Sequence, residues 1–122
     1  MLVLMGCQAD APAITGKEWR VAAIGALQAP VGAGGHPLTM TFDYNSGRVS
    51  GFSGCNQYSA PYVLAGDSLI FGPAAATKMA CGGTGDSVEQ AFLAAIPAVA
   101  TWHLADSILT LSGSGGVAVR LR

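Results

Sequence analysis

Three cysteines are the residues of this 122-residue chain whose chemistry is most distinctive: Cys7, Cys55 and Cys81. Cys55 and Cys81 lie too far apart for a Cys-x-x-Cys redox pair, and no second cysteine pair or His-x3-His spacing accompanies them to bind zinc. We therefore expect no metal site and no cofactor. Two possibilities remain open for this pair: a disulfide or two reduced, buried thiols.

The other residues that could support catalysis do not form a recognisable set. His36 lies in a loop rich in glycine and proline, and His103 lies on the outward side of a predicted strand. In Gly51-Phe-Ser-Gly-Cys55 the second glycine comes one place early, so the Gly-x-Ser-x-Gly spacing of a nucleophile elbow is missing. We assign no catalytic residue and predict that the protein is not an enzyme.

The N-terminus indicates a cellular compartment. Leu2-Val-Leu-Met-Gly6 before Cys7 resembles the end of a bacterial lipoprotein signal, in which the cysteine receives diacylglycerol. Only six residues precede Cys7 and none is charged, which is shorter than a complete signal. We predict a truncated signal remnant and tether over residues 1–15 and a folded domain over residues 16–122. The alternative is a hydrophobic tail with an accidental cysteine. A lipoprotein would lie in an oxidising compartment, which favours the disulfide.

Composition excludes several classes of partner. The net charge is -1 and the six basic residues are scattered singly, so no basic stripe is available for nucleic acid. No run of about 20 apolar residues follows Cys7, so we expect no membrane-spanning segment. The predicted membrane contact is a lipid anchor at Cys7.

Period-two patterns predict strands over most of the chain. One face of the first strand carries Trp19, Val21 and Ala23, and later segments alternate in the same way. Residues 62–71 and 102–111 echo each other as hairpins with an Asp-Ser turn. A last strand follows the glycine-rich turn at residues 113–116.

One segment has helical spacing instead. Asp86-Ser-Val-Glu89 resembles a capping box, and Val88, Phe92 and Ile96 recur every four residues. Pro97 should end this helix near residues 95–96. The predicted fold class is mainly β (α+β): a curved antiparallel sheet or partly closed barrel, with one helix covering its open edges.

Several motifs together resemble one family, the META domain or HslJ-like heat-shock family. They are Trp19-Arg-Val, Met40-Thr-Phe-Asp43, Gly47-Arg-Val-Ser-Gly-Phe-Ser-Gly-Cys-Asn56, Tyr58, Tyr62, Leu69-Ile-Phe-Gly72, Thr77-Lys-Met-Ala-Cys81, Glu89 and Leu109-Thr-Leu111. The resemblance implies a small lipocalin-like antiparallel sheet with a helix, in proteins of the bacterial envelope that are often lipoproteins. It also implies a loose link to heat shock, antibiotic tolerance or secretion. No catalytic residue comes with it.

The motif residues allow two interpretations. In the structural one, Asn56 is a turn residue, the tyrosines are core aromatics, and Thr77 and Met79 are strand residues with Met79 in the core. In the functional one, an exposed binding patch beside the disulfide is formed by Asn56, Tyr58, Tyr62, Thr77 and Lys78.

The preferred function is a noncatalytic, stress-related envelope lipoprotein on the periplasmic side, anchored at the outer membrane, that contacts an envelope protein partner. The alternative is a binder of small hydrophobic ligands in a barrel-like cavity.

Overall fold

Antiparallel strands and one long helix make up the part of the chain that the computed structural model describes, residues 12–122. In chain order the elements are β1 (Glu18–Ile24), β2 (Leu27–Gln28), β3 (Thr39–Asp43), β4 (Arg48–Phe52), β5 (Gln57–Ala65), β6 (Ser68–Phe71), β7 (Ala75–Ala76), α1 (Gly83–Ala95), β8 (Thr101–Ala105), β9 (Ile108–Gly113) and β10 (Gly116–Leu121). Cys7 and the rest of the predicted signal remnant lie outside the described residues.

Eight of these strands close into a barrel in the order β1, β3, β4, β5, β6, β8, β9, β10. The ring is completed by β1 and β10, where Val21 pairs with Leu121. The two-residue strands β2 and β7 pair with β1 and β5. The mainly β fold with one helix is therefore confirmed, and the barrel is closed. Because β1 and β10 pair with each other, the helix does not have to cover them as open edges.

The core consists of the inward faces of the strands. Trp19, Val21 and Ala23 are buried, as the alternation predicts, and Phe42 is fully buried on β3. The Phe42 ring meets the Tyr62 ring edge-on, with the ring centres 5.1 Å apart. An eight-stranded barrel has an interior just wide enough for side chains to fill, and here the inward side chains of the strands form one buried hydrophobic cluster.

The two hairpins that echo each other in sequence have the same register. Tyr62 pairs with Phe71 in the first, and Trp102 pairs with Leu111 in the second. The second turn is Asp106-Ser107, with both residues at positive φ, as a two-residue hairpin turn requires. The first turn is at residues 66–67, one position earlier than the Asp-Ser turn expected from the sequence, because Ser68 already pairs with Ala65.

The helix begins earlier than the capping-box pattern predicts. It starts at Gly83, so Asp86 lies within its first turn and does not cap it. It ends at Ala95, as Pro97 predicts, and continues as a 3-10 turn over Ile96–Ala98. Phe92 is fully buried and its ring packs on the Tyr58 ring at 5.3 Å. In residues 12–122, no helix combines the length and apolar character needed to cross a bilayer.

The barrel has two different ends, because successive antiparallel strands connect at alternate ends. We call one the helix end, where the connections are residues 25–38, 53–56, 72–100 with α1, and 114–115. We call the other the turn end, where the connections are residues 44–47, 66–67 and 106–107. The strand β1 starts at the turn end, so the chain enters the barrel there.

The packed domain begins before residue 16. Ile14 is fully buried, and the Trp19 indole Nε1 donates to its carbonyl oxygen at 2.9 Å. Thr15 bridges to Phe42, and the Gly16 amide donates to the Phe42 carbonyl oxygen at 3.0 Å. Residues 14 and 15, which the sequence places in the tether, therefore belong to the folded domain.

A close approach at Gly51 gives a test of this barrel geometry. Gly51 lies on β4 opposite Tyr58, and a Cβ atom at Gly51 would overlap the Thr39 carbonyl oxygen. The Tyr58 hydroxyl donates to that same oxygen at 2.8 Å. We expect Gly51→Ala to lower the free energy of unfolding by about 1–3 kcal/mol, because backbone must shift to admit the methyl group.

The matched control is Gly115→Ala, since Gly115 has open space around it and needs no left-handed backbone. Urea unfolding of both variants compares the two positions. Equal stability of the two variants would contradict the close approach at Gly51.

Candidate functional site

The turn between β4 and β5 is buried although it carries polar groups. Ser53, Gly54, Cys55 and Asn56 all lie in the interior. The Ser53 amide donates to the Asn56 carbonyl oxygen at 2.9 Å, which closes the turn. Gly54 has φ of 128°, and a Cβ there would lie 2.9 Å from the Glu89 backbone nitrogen. The absence of a side chain at Gly54 therefore lets the turn backbone pack directly on α1.

The Glu89 carboxylate accepts hydrogen bonds from four groups of this turn. Its Oε1 accepts from the Ser53 hydroxyl, from the Cys55 amide at 3.1 Å and from the Asn56 amide at 2.7 Å. Its Oε2 accepts from the Asn56 side-chain Nδ2 at 2.8 Å. A charged acceptor makes such bonds stronger than neutral pairs do. One carboxylate thus satisfies donors that would otherwise be buried without partners.

The Asn56 side chain extends this network to the segment before the helix. Its Oδ1 accepts from the Thr77 hydroxyl at 2.9 Å and from the Met79 amide at 2.7 Å. Its Nδ2 also donates to the Met79 carbonyl oxygen at 3.1 Å. Asn56 is therefore a buried connector between two chain segments, rather than a turn residue bonded to its own neighbours.

A disulfide between Cys55 and Cys81 joins the same two segments covalently. The cysteines are 26 residues apart, and closing a loop of that length stabilises a domain by about 3.5 kcal/mol in the chain-entropy model. The Asp86 carboxylate holds the residues just before α1 by accepting hydrogen bonds from the Cys81 and Gly82 amides at 3.1 and 2.7 Å. We call the whole assembly the Glu89 clamp: Ser53, Cys55, Asn56, Thr77, Met79, Cys81 and Glu89.

Two opposing effects set the acidity of the clamp carboxyl. Partial burial acts to raise the pKa of Glu89, while hydrogen bonds from the Ser53 and Asn56 side chains and from the Asn56 and Cys55 amides act to lower it. The hydrogen bonds prevail, so the pKa of Glu89 lies below its ordinary value of 4.5. Glu89 is accordingly ionised at neutral pH, and its charge serves the hydrogen bonds of the turn.

The exposed patch expected from the sequence is not formed. Asn56 and Tyr58 are each 3% exposed and Tyr62 is 9% exposed. The Tyr58 ring lies against α1, and the Tyr62 hydroxyl donates to the Asp43 carbonyl oxygen at 3.1 Å. Burial raises the pKa of the Tyr58 phenol and, with the nearby Asp43 charge, that of Tyr62. The tyrosines are core aromatics, as the structural interpretation predicted.

Residues 77–79 remain accessible, but they are not a strand. The strand β7 ends at Ala76, and the chain beyond it follows Asn56 instead of a neighbouring strand. Met79 is 63% exposed, so the prediction that it fills the core is wrong: its backbone is held by Asn56 and its side chain turns outward. Thr77 and Lys78 are also exposed. Of the predicted patch, only these two residues face solvent.

The residues considered for catalysis or metal binding are placed apart or engaged otherwise. His36 contacts the Phe52 ring edge-on with the ring centres 6.3 Å apart, and His103 is exposed on β8. Asp86 lies near both cysteine sulfurs. Those sulfurs are bonded to each other in the disulfide, so they are not the thiolates that bind metals.

Sequence reasoning missed the role of Glu89, which it assigned to capping. The signal that could have found it is the spacing of Gly85 and Glu89, four residues apart on one helix face beside the apolar stripe. Gly85 is buried, and a Cβ there would lie 3.3 Å from Ala33. A glycine above a carboxylate on a packed helix face indicates that another backbone segment approaches that carboxylate.

These features define a class of protein: a small closed antiparallel barrel whose one helix is fastened over an end by a carboxylate network and a disulfide. The family model of the META domain matches residues 12–122, so the chain belongs to the META-domain family. The residues that carried the resemblance in the sequence include all seven residues of the Glu89 clamp.

Two solved structures share this fold. The NMR structure of a protein from Burkholderia xenovorans is 26% identical, covers 93% of this chain and 92% of its own, and has a TM-score of 0.70. A second NMR structure is 18% identical with 86% of each chain covered and a TM-score of 0.65, which supports the fold alone. Comparison with curated proteins gives no match.

Glu89→Gln tests the clamp directly. The substitution keeps the side-chain shape but removes the charge and replaces one acceptor oxygen by a donor, which then faces the donors of the turn. We expect the free energy of unfolding to fall by about 2 kcal/mol, since hydrogen bonds to charged groups contribute about 1.5–3 kcal/mol each and part of this is retained. Urea unfolding at neutral pH measures the change.

The control is Glu18→Gln, because Glu18 is an exposed glutamate on β1 and is outside the clamp. We expect it to change stability by less than about 0.5 kcal/mol. A Glu89→Gln protein as stable as Glu18→Gln would exclude a structural role for the carboxylate.

The lowered pKa of Glu89 also predicts a pH dependence. A carboxyl whose folded pKa is depressed stabilises the fold fully above its unfolded pKa, and this stabilisation is lost as pH falls through the folded pKa. The stability gap between the native protein and Glu89→Gln should therefore be constant above 4.5, the ordinary value, and shrink at lower pH. Urea midpoints of both proteins across this range measure it. A stability difference between the two proteins that grows as pH falls would contradict the prediction.

Proposed function

We propose that this protein is a noncatalytic, lipid-anchored domain of the bacterial envelope that contacts another envelope component on the periplasmic side of the outer membrane. The observation that carries the proposal is the Cys55–Cys81 disulfide within the Glu89 clamp. Structural disulfides persist in oxidising compartments such as the periplasm and are rare in the cytosol. Membership of the META-domain family is consistent with this location.

Anchoring at Cys7 supplies the membrane contact. Gly6 is a small residue directly before the cysteine, as in lipoprotein signals, and an apolar run precedes it. Each acyl methylene buried in a bilayer contributes about 0.8 kcal/mol, so two or more chains hold a domain of this size at the surface. Cys55 and Cys81 are bonded to each other, which leaves Cys7 as the cysteine available for acylation.

The hydrogen bonds of the reactive side chains support the noncatalytic assignment. The Ser53 hydroxyl is fully buried and bonded to Glu89, while Glu89 is occupied by four donors of the turn. A nucleophile must reach a substrate and a general base must have a free proton-accepting position. Neither group meets that requirement, because each already holds the turn against α1.

The barrel interior argues against the alternative of a ligand cavity. Trp19, Phe42 and Phe92 are fully buried and pack among the other inward side chains. Open space lies on the outside instead, as in the groove of about 680 Å³ lined by Thr41, Ser50 and other residues of β1, β3, β4 and β5. A partner would therefore bind at the outer surface. A stress-related role would depend on the stability that the disulfide and the Glu89 clamp give to the fold.

Cys7→Ser tests the proposal. In cells, we expect the native protein in the membrane fraction and Cys7→Ser in the soluble fraction, because the acyl chains are lost. The control is Ala9→Ser, which changes a neighbouring residue and should stay in the membrane fraction. Intact-mass spectrometry of the native protein should show diacylglyceryl at Cys7 and, without reduction, one disulfide. An unmodified Cys7, or the same fraction for all three proteins, would refute lipid anchoring.

Deletion of the gene tests the stress-related role in the proposed function separately. We expect lower survival of envelope stress in the deletion strain and rescue by the native protein but not by Cys7→Ser. Unchanged survival would refute a stress role while leaving the lipid anchor to the preceding measurement.

A further inference from the structure

We infer that the turn end of the barrel rests on the bilayer surface, with Tyr44 among the lipid headgroups, and that the helix end with the Glu89 clamp faces away from the membrane. This inference rests on the proposed anchor at Cys7. It adds a definite orientation and a definite contact surface to that proposal.

The first reason is where the chain enters the barrel. Residues 14–16 are fixed beside β3: Ile14 is buried, Thr15 bridges to Phe42 and the Gly16 amide donates to the Phe42 carbonyl oxygen. Phe42 lies just before the turn over residues 44–47, which belongs to the turn end. The anchored N-terminus therefore leaves the domain at the turn end.

The second reason is the length of chain between the anchor and the domain. The Pro12 carbonyl oxygen accepts from both the amide and the hydroxyl of Thr15, at 2.9 and 2.7 Å, so the chain is ordered from Pro12 onward. Four residues lie between Cys7 and Pro12, so five Cα–Cα steps connect the two. Whatever their conformation, five such steps span at most about 18 Å. The domain is held close to the bilayer at this end.

The helix end is too distant for the same tether to bring it to the bilayer. β1 has seven residues, which span about 23 Å along the strand. Because strands tilt by roughly 40° from the barrel axis, this length corresponds to about 18 Å along the axis. The layer of α1 adds about 10 Å. To bring the helix end to the bilayer, the tether between Pro12 and Cys7 would have to extend back along a domain of roughly 28 Å. It spans at most about 18 Å.

The third reason is the chemistry of the turn end. Tyr44 is 47% exposed at the β3–β4 turn and borders a groove of about 510 Å³ that Thr15, Gly16 and Asn45 also line. Tyrosine has an apolar ring and a polar hydroxyl, and it concentrates at the headgroup level of membranes.

The contact at Tyr44 can be weak, because the anchor supplies the affinity. A short tether gives the turn end an effective concentration on the order of mM at the surface. The charged side chains at this end are of both signs: Lys17, Arg48 and Arg122 are basic, and Asp43, Asp67 and Asp106 are acidic. Attraction to anionic lipid is therefore not the source of the orientation.

The orientation places an identifiable surface toward the periplasm. Thr77, Lys78 and Met79 are exposed at the helix end, and the Glu89 clamp fixes their backbone. An envelope partner of the anchored protein would meet this end and the outer barrel wall, while the turn end is occupied by the membrane.

Paramagnetic NMR on the full chain tests the orientation. The oxidised protein is coupled through Cys7 to a maleimide lipid in nanodiscs of phosphatidylethanolamine and phosphatidylglycerol, which makes the test independent of acylation in cells. A small fraction of lipid carries a gadolinium chelate on its headgroup. We expect the amides of residues 44–47, 67 and 106 to be broadened at least threefold more than those of residues 78–86. Equal broadening, or stronger broadening of residues 78–86, would overturn the orientation.

Two variants and one control separate the causes. Tyr44→Ala should reduce the difference between the two ends, whereas Met79→Ala, which truncates an exposed apolar side chain at the helix end, should leave it unchanged. Twelve Gly/Ser residues inserted between Ala11 and Pro12 should also reduce it. If Tyr44→Ala has no effect, the headgroup contact is refuted. If the insertion has no effect, the tether argument is refuted. An unacylated Cys7 in native membranes refutes the proposed function by a separate readout.

Discussion

The hydrogen bonds between the Glu89 carboxylate and the turn over residues 53–56 are the interaction on which the rest of the structure depends. That turn is buried, so its amide and hydroxyl donors must find acceptors within the protein. Two carboxylate oxygens supply acceptors for four of them. The same bonds fix the position of α1, because Glu89 is one helical turn from the fully buried Phe92. The same hydrogen bonds thus hold α1 over the helix end of the barrel and satisfy the buried donors of the turn.

The disulfide and the carboxylate stabilise the same arrangement by different means. Cys55 takes part in both, because its amide donates to Glu89 while its sulfur bonds to Cys81. The disulfide limits the freedom of the unfolded chain, whereas the hydrogen bonds act in the folded state and require an ionised carboxyl. The residues that identify the META domain in this sequence are accordingly structural. The family signature indicates how the helix end is closed.

Local patterns in the sequence predict the local parts of this fold. Trp19, Val21 and Ala23 alternate with exposed or half-buried neighbours, and the paired hairpins have the register that their matching residues suggest. Closure of the barrel depends on pairing between the first and last long strands, and no local period encodes a contact of that range. The clamp was missed for the same reason: Glu89 and Asn56 are 33 residues apart. Both tyrosines were candidates for exposure because burial of an aromatic ring depends on which segment later packs over it.

Amide hydrogen exchange of the native protein, read residue by residue, tests the central claim most directly. Residues 53–56 and 77–79 are outside the strands and the helix, so an ordinary loop there would exchange through local opening. If the Glu89 clamp holds them, the amides of Cys55, Asn56 and Met79 exchange as slowly as core strand amides such as Leu111. In Glu89→Gln these three amides exchange faster, relative to Leu111, than in the native protein. Exchange of the three amides in the native protein as fast as that of the exposed Ser46 turn would contradict the claim.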